Sequence, residues 1–203
     1  MKRTAFFLLM ILYLAGCSSE KIKPGMTQMD RFELAKRLIK KKKYLQAKII
    51  LETMTSLNIV NNVADSTQFY LAEIYFNREE YITAIGEYQR LIREYPNSKL
   101  VDDAQFKVGL CYYKISPAYN LDQEYTKKAV DEFQKFLENF PNSNLVPEAL
   151  KKLRELIDKL ARKDYEIGKQ YKKLKEYNAA LIYFNFVIQN YQESKYTVDS
   201  YYQ

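Results

Sequence analysis

Residues 69–96 read FYLAEIYFNREEYITAIGEYQRLIREYP. A small residue marks each half of the stretch, Ala72 in the first and Ala84 in the second. Phe69 stands three residues before Ala72 and Tyr75 three after it, while Tyr88 and Leu91 stand four and seven after Ala84. Spacings of three, four and seven place residues on one face of an α-helix. The stretch predicts two helices whose small residues let them approach closely, with aromatic rings filling the space beside them. Pro96 cannot continue the second helix, and Asn97-Ser98 suits a turn and a new N-cap.

The same pattern recurs on either side. The small residue of each first helix is Ala35, Ala72, Gly109 and Gly168, preceded three residues earlier by Phe32, Phe69, Phe106 and Tyr165. In the second helices it is Ala47, Ala84, Ala129 and Ala180, followed four residues later by Leu51, Tyr88, Phe133 and Phe184. Pro141 repeats the role of Pro96, again followed by Asn-Ser. This order of small, aromatic, alanine, aromatic and proline positions is the tetratricopeptide pattern. The expected fold is all-α, a tetratricopeptide helical solenoid of about four repeats plus the start of a fifth. The repeats fall near residues 30–62, 65–98, 103–143 and 162–194, within a domain over 30–203.

Two departures interrupt the period. From first to second small residue the spacing is 12 in repeats 1, 2 and 4 but 20 in repeat 3, from Gly109 to Ala129. The extra residues lie within KISPAYNLDQEYTKK, where Ser116-Pro117 ends the first helix. Between repeats 3 and 4, a charged, leucine-spaced stretch near 147–164 predicts a long helix running into the first helix of repeat 4. Its Leu150, Leu153, Ile157 and Leu160 share one face, and such a helix would fix the orientation of the two halves.

The chain opens with a leader. Lys2 and Arg3 precede the apolar run Ala5–Leu14, which is too short to span a bilayer, and Leu14-Ala15-Gly16-Cys17 closes it. Residues 1–16 read as a signal peptide and 17–29 as a linker carrying Pro24-Gly25. The LAGC ending resembles a bacterial lipobox. That resemblance implies cleavage before Cys17, diacylglycerol on its thiol and an acyl chain on the new amino terminus. Multiple chains suffice for stable anchoring, at about 0.8 kcal/mol per buried CH₂. By resemblance to lipoprotein sorting, Ser18 in place of Asp favours the outer membrane, with the domain on its periplasmic face. No cofactor is expected beyond this covalent lipid.

The net charge of +7 is mild and spread out, apart from Lys40–Lys43. An exported protein meets no nucleic acid, so that run reads as a solvated helix end. There is no histidine, which excludes Ser-His-Asp and Cys-His catalysis and the commonest metal ligand. Cys111, in the apolar stretch GLCYY, reads as a small buried residue. Acidic residues recur as helix-surface partners of Lys or Arg, such as Glu148 with Lys152. No carboxylate pair is marked out by apolar surroundings, and neither an enzyme nor a metal site is expected.

First helices of a curved repeat array line its concave side. Residues one step off the packing face are the candidate peptide groove: Glu73, Phe76 and Asn77 in repeat 2, and Leu110, Tyr113 and Lys114 in repeat 3. The aromatics Phe69 and Phe106 are included as groove candidates. Interleaved aromatic and polar groups suit a peptide segment, although each ring could equally pack between repeats.

GLCYYKISPAYNLDQEYTKKAVDEFQKFLENFPNS over 109–143, the long helix after it, and AALIYFNFVIQNY over 179–191 resemble the BamD (ComL/YfiO) family. These are tetratricopeptide lipoproteins of the outer-membrane β-barrel assembly machinery. The resemblance runs from about residue 30 to the end, with the lipobox in addition. It implies a non-catalytic scaffold. C-terminal repeats would hold a BamA-like β-barrel insertase, other assembly lipoproteins would join it, and the N-terminal half would receive unfolded outer-membrane proteins. The family usually has five repeats, whereas this sequence stops at TVDSYYQ, where a fifth is starting. It is either truncated or a short member. Losing a last repeat would bear on the insertase surface and uncap the apolar face of repeat 4. Other tetratricopeptide lipoproteins, pilotins for secretin assembly or cell-wall coordination factors, would share lipobox and repeats without needing either insertion.

Overall fold

A computed structural model describes residues 22–56 and 63–203. The leader and Cys17 lie outside the described residues. The described residues form helices α1 (Gln28–Lys40), α2 (Tyr44–Ser56), α3 (Ala64–Asn77), α4 (Tyr81–Glu94), α5 (Val101–Ile115), α6 (Glu124–Asn139), α7 (Val146–Lys173), α8 (Tyr177–Asn190) and α9 (Lys195–Tyr201). None of them is long and apolar enough to cross a membrane.

Consecutive helices pack as antiparallel pairs, α1/α2, α3/α4, α5/α6 and α7/α8, and each second helix also packs on the next first helix. First helices meet their counterparts in the following repeat at α1–α3, α5–α7 and α7–α9, which puts them on the inner side of the stack. This is an all-helical tetratricopeptide solenoid, with α9 beginning a fifth unit.

The small residues act as the spacing predicts. Ala35, Ala47, Ala72, Ala84 and Ala129 are fully buried, and Ala180 nearly so. A Cβ on Gly109 would stand 3.0 Å from the Phe133 ring, and one on Gly168 2.8 Å from Phe184. Tyr88, Phe133 and Phe184 fill the space that these positions leave. α4 and α6 stop at caps Tyr95 and Phe140, each directly before a proline.

The tight turns of repeats 1, 2 and 4 share a left-handed residue two before a tyrosine: Lys42 (φ 57°), Glu79 (φ 63°) and Lys175 (φ 65°). Repeat 3 replaces that turn with its insertion. Ser116 takes an extended backbone before Pro117. The buried Gln123 then organises the loop, its amide donating to the carbonyls of Ala118 (2.8 Å) and Leu121 (3.0 Å). Gln123 Oε1 accepts from the buried Thr126 hydroxyl at 2.7 Å, and Ser116 Oγ lies 2.6 Å from that hydroxyl. Lys159 and Lys163 of α7 fasten the loop from outside, donating to Ser116 Oγ (2.7 Å) and the Leu121 carbonyl (2.7 Å).

The core falls into three clusters. The first runs from Phe32 to Cys111, the second gathers Phe106, Phe133, Phe136 and Leu156, and the third gathers Ala161, Tyr165, Phe184 and Val187. α7, with 28 residues and a proline in its first turn, serves both later clusters. At 1.5 Å per residue it is about 42 Å long. Lys152 on this helix pairs with Glu155 at 3.6 Å, whereas Glu148, its expected partner, is exposed.

Candidate functional site

The inner face of repeats 2 and 3 is built on one recurring unit, an aromatic ring covered by a cation from a first helix further along the chain. Lys107 of α5 stands 4.4 Å over the Phe76 ring of α3. Lys152 of α7 stands 4.3 Å over Tyr113 of α5, and Arg162 of α7 stands 4.0 Å over Tyr119 of the insertion. Such contacts contribute about 0.5–1 kcal/mol when exposed, and more when desolvated.

Carboxylates tie the units together. Glu73 accepts from the Tyr88 hydroxyl of α4 and from Lys107 Nζ at 2.7 Å. Burial, with Glu73 beside it, holds the Tyr88 phenol far above the usual tyrosine range. Glu155 likewise accepts from the Tyr113 hydroxyl, and that bond holds its carboxyl below the usual range. Asn77 is exposed and donates to the Glu73 carbonyl at 2.7 Å. Phe76 is half-buried and meets Tyr81 edge-on at 5.5 Å.

Glu73, Phe76 and Asn77 thus form one cluster with Lys107. Tyr113 belongs to a second with Lys152 and Glu155, beside half-buried Leu110 and exposed Lys114. Phe69 is half-buried, edge-on to Tyr70 and Tyr88. Phe106 does not belong to the groove. It is 3% exposed and packs against Phe133 and Phe136 at 5.7 and 5.6 Å. It lies one turn before Gly109, on the face turned toward α6.

The cations over the rings were not legible from the sequence. Lys107 and Lys152 sit on other helices than the aromatics they cover, and helical periodicity carries no such pairing. The charged face also differs from the outer face of α8. There Tyr177, Leu181, Ile182 and Phe186 are 45–68% exposed. The positions of Ile182 and Phe186 hold Gly86 and Arg90 in repeat 2, and Asp131 and Lys135 in repeat 3.

Comparison with known proteins adds identity. The family described as "YfiO: Outer membrane lipoprotein" matches residues 24–201. The outer membrane protein assembly factor BamD of Caulobacter vibrioides is 27% identical over 121 residues, 60% of this chain. That match spans 40% of the relative's length. Among solved structures, one described as "Crystal structure of YrrB: a TPR protein with an unusual peptide-binding site" is similar with a TM-score of 0.43 and 16% identity. It covers 80% of this chain and 86% of that one. With the match extending over nearly all of the repeat array, the chain belongs to the YfiO family of outer membrane lipoproteins.

Proposed function

We propose that this protein is a non-catalytic scaffold of outer-membrane protein assembly, tethered through a lipidated Cys17 to the periplasmic face of the outer membrane. The observation that carries the reading is the family match over residues 24–201, to which the similarity to a BamD adds support. The C-terminal repeats hold a BamA-type insertase. The exposed apolar residues Tyr177, Leu181, Ile182 and Phe186 of α8 support this. Unfolded barrel substrates meet the inner face of repeats 2 and 3 at Phe76 and Tyr113. Lys107 and Lys152 already cover those rings, so an incoming aromatic strand shares the ring edges or displaces the lysines.

The test is affinity purification of the full-length lipidated protein from mild-detergent membranes, with mass spectrometry of what copurifies. A protein with soluble periplasmic domains and a membrane β-barrel is expected. A secretin or cell-wall synthases without such a protein would overturn the assembly role. Cys17→Ser should release the protein from membranes. For the inner face, Phe76→Ala with Tyr113→Ala should weaken binding of a signal-strand peptide in a folded variant, and unchanged binding would remove these residues from the site.

A further inference from the structure

A second site lies further along the stack, where nothing in the proposed role requires one. The insertion of repeat 3, the middle of α7 and the start of α9 border an open pocket of about 480 Å³. That is ample for a side chain with its neighbours, within the ordinary range of ligand pockets. Tyr119 and Tyr196 supply its apolar walls, and Glu155, Asp158, Lys159 and Arg162 supply its charges.

The lining carries two carboxylates and two cations, which do not pair with one another. Glu155 is engaged by the Tyr113 hydroxyl and by Lys152 at 3.6 Å. Asp158 accepts the Ser194 hydroxyl at 2.6 Å. Asp158 and Arg162 stand four apart on α7, the spacing at which a helix ordinarily forms an ion pair. Arg162 turns away and lies over Tyr119 instead. Lys159 reaches the neutral Ser116, at 2.7 Å from its hydroxyl and 3.5 Å from its carbonyl. Among the described residues, neither Arg162 nor Lys159 has a carboxylate at ion-pair distance. Outside the lining, Lys195 stands 5.2 Å from the Tyr196 ring. Burial holds the Lys159 ammonium below the usual lysine range, and the Glu155 charge opposes this only in part.

We infer that this pocket binds a carboxylate carried by an extended polypeptide segment, with an aromatic or apolar neighbour seated between Tyr119 and Tyr196. Arg162 Cζ lies 4.0 Å from the Tyr119 ring centroid, and a guanidinium over the ring keeps N–H donors for the two oxygens of a carboxylate. Lys159 closes on the carboxylate from the adjacent turn. A polypeptide suits the site because the pocket shares Glu155 with the Tyr113 unit of the inner face. A chain lying along the first helices therefore reaches it without a change of direction. The site is separate from the Phe76 cluster, and its test does not depend on which protein copurifies.

The chain contains no tryptophan, so Tyr119→Trp places a single tryptophan, selectively excited, in the pocket while keeping a ring under Arg162. Full-length protein in detergent would be titrated with acetylated, amidated Ser-Phe-Asp-Phe-Ser and with its Asn analogue. A third probe, the Asn analogue with a free C-terminal carboxylate, distinguishes a chain end from an acidic side chain. Calorimetry on the unsubstituted protein runs in parallel. The Asp peptide is expected to bind saturably, more weakly at high salt, and at least about tenfold better than its neutral analogue. Arg162→Gln, at an exposed position, should abolish that preference while leaving the thermal unfolding transition in place. Equal affinity for the Asp and Asn peptides, an unchanged preference in Arg162→Gln, or no heat and no emission change up to about 5 mM of either carboxylate peptide would overturn the proposal.

Discussion

The Ser143 hydroxyl donates to the Asp102 carboxylate at 2.9 Å, across 41 residues of chain. Ser98 makes the same bond to Asp65 at 2.5 Å, and Ser194 to Asp158 at 2.6 Å. Each serine oxygen also accepts a backbone N–H two residues on, from Leu100, Leu145 and Tyr196. At Ser194 the hydroxyl caps α9, at Ser98 and Ser143 it holds the N–H of the residue just before the helix, and each joins its helix start to an earlier helix. Asp65 and Asp102 also lie in the first turns of their helices, where the dipole favours a negative charge. Ser98→Ala and Ser143→Ala should each cost about 1–2 kcal/mol, read from urea denaturation followed by circular dichroism. A loss under a few tenths would mean that the bonds add nothing across the joint.

Glycine at three helical positions should answer differently to alanine. A Cβ at residue 168 would meet the Phe184 ring at 2.8 Å, so Gly168→Ala should destabilise by about 1–3 kcal/mol. Gly109→Ala meets Phe133 at 3.0 Å and should cost less. Nothing lies within 4 Å of a Cβ at residue 86, so Gly86→Ala should stabilise by up to about 1 kcal/mol through helix propensity alone. The order of denaturation midpoints, 86 above wild type and 168 lowest, checks all three.

Glu79 holds a left-handed backbone, φ 63°, in an exposed turn. That conformation disfavours every residue with a Cβ, and glycine adopts it freely. Glu79→Gly should raise stability by about 0.5–1 kcal/mol after the entropy of the unfolded glycine is subtracted. Lys175→Gly should act in the same direction, and a fall in thermal midpoint for both would contradict the strain.

Asp164 gives a pH dependence with a definite sign. Burial raises its carboxyl above the usual range, and the hydrogen bond from Tyr191 at 3.2 Å opposes this only in part. A folded pKa above the unfolded one favours the fold at low pH, and that contribution is lost as pH rises through the folded value. Asp164→Asn removes this loss. Relative to wild type, the variant should therefore gain stability from about pH 4 to pH 7. Parallel stability curves over that window would show that Asp164 titrates normally.

Cys111 is fully buried, and burial pushes its thiol up to about 12. The reactive thiolate is then scarce at neutral pH. Maleimide applied to the folded protein at about pH 7.5 should leave the Cys111 peptide unlabelled, and unfolding in urea should label it fully. Rapid labelling under native conditions would show that α5 opens locally.

The helices were legible in the sequence because the small and aromatic positions recur in register. Ala72, Gly109 and Gly168 mark the contact points directly, since each faces the partner helix of its own repeat. The long helix could be read from the phase of Leu150, Leu153, Ile157 and Leu160, but its core face runs through Leu156 and Leu160, and Leu150 is exposed. The insertion could not, because Gln123 organises it through single hydrogen bonds to its own carbonyls, which leave no period. Phe106 stands at the packing position three before Gly109, and its inclusion among the groove aromatics with Phe76 went against that period; its ring packs on Phe133 and Phe136 while Phe76 is half-buried. The limit met at the insertion applied at the inner face too. Glu73 was legible as a face residue, but not its engagement by Tyr88, 15 residues away, and by Lys107 on the next repeat.

Because α7 belongs to two clusters at once, the boundary between repeats 3 and 4 falls inside a helix. Elsewhere an ancestral gene could gain or lose a whole unit by cutting at loops. Here a deletion must preserve helical phase, which limits it to lengths near a whole number of turns, about 7, 11 or 18 residues. Homologues should therefore vary in repeat number at the ends of the array and in α7 only by such steps. An intermediate length would rotate Leu156 and Tyr165 out of their two cores relative to each other.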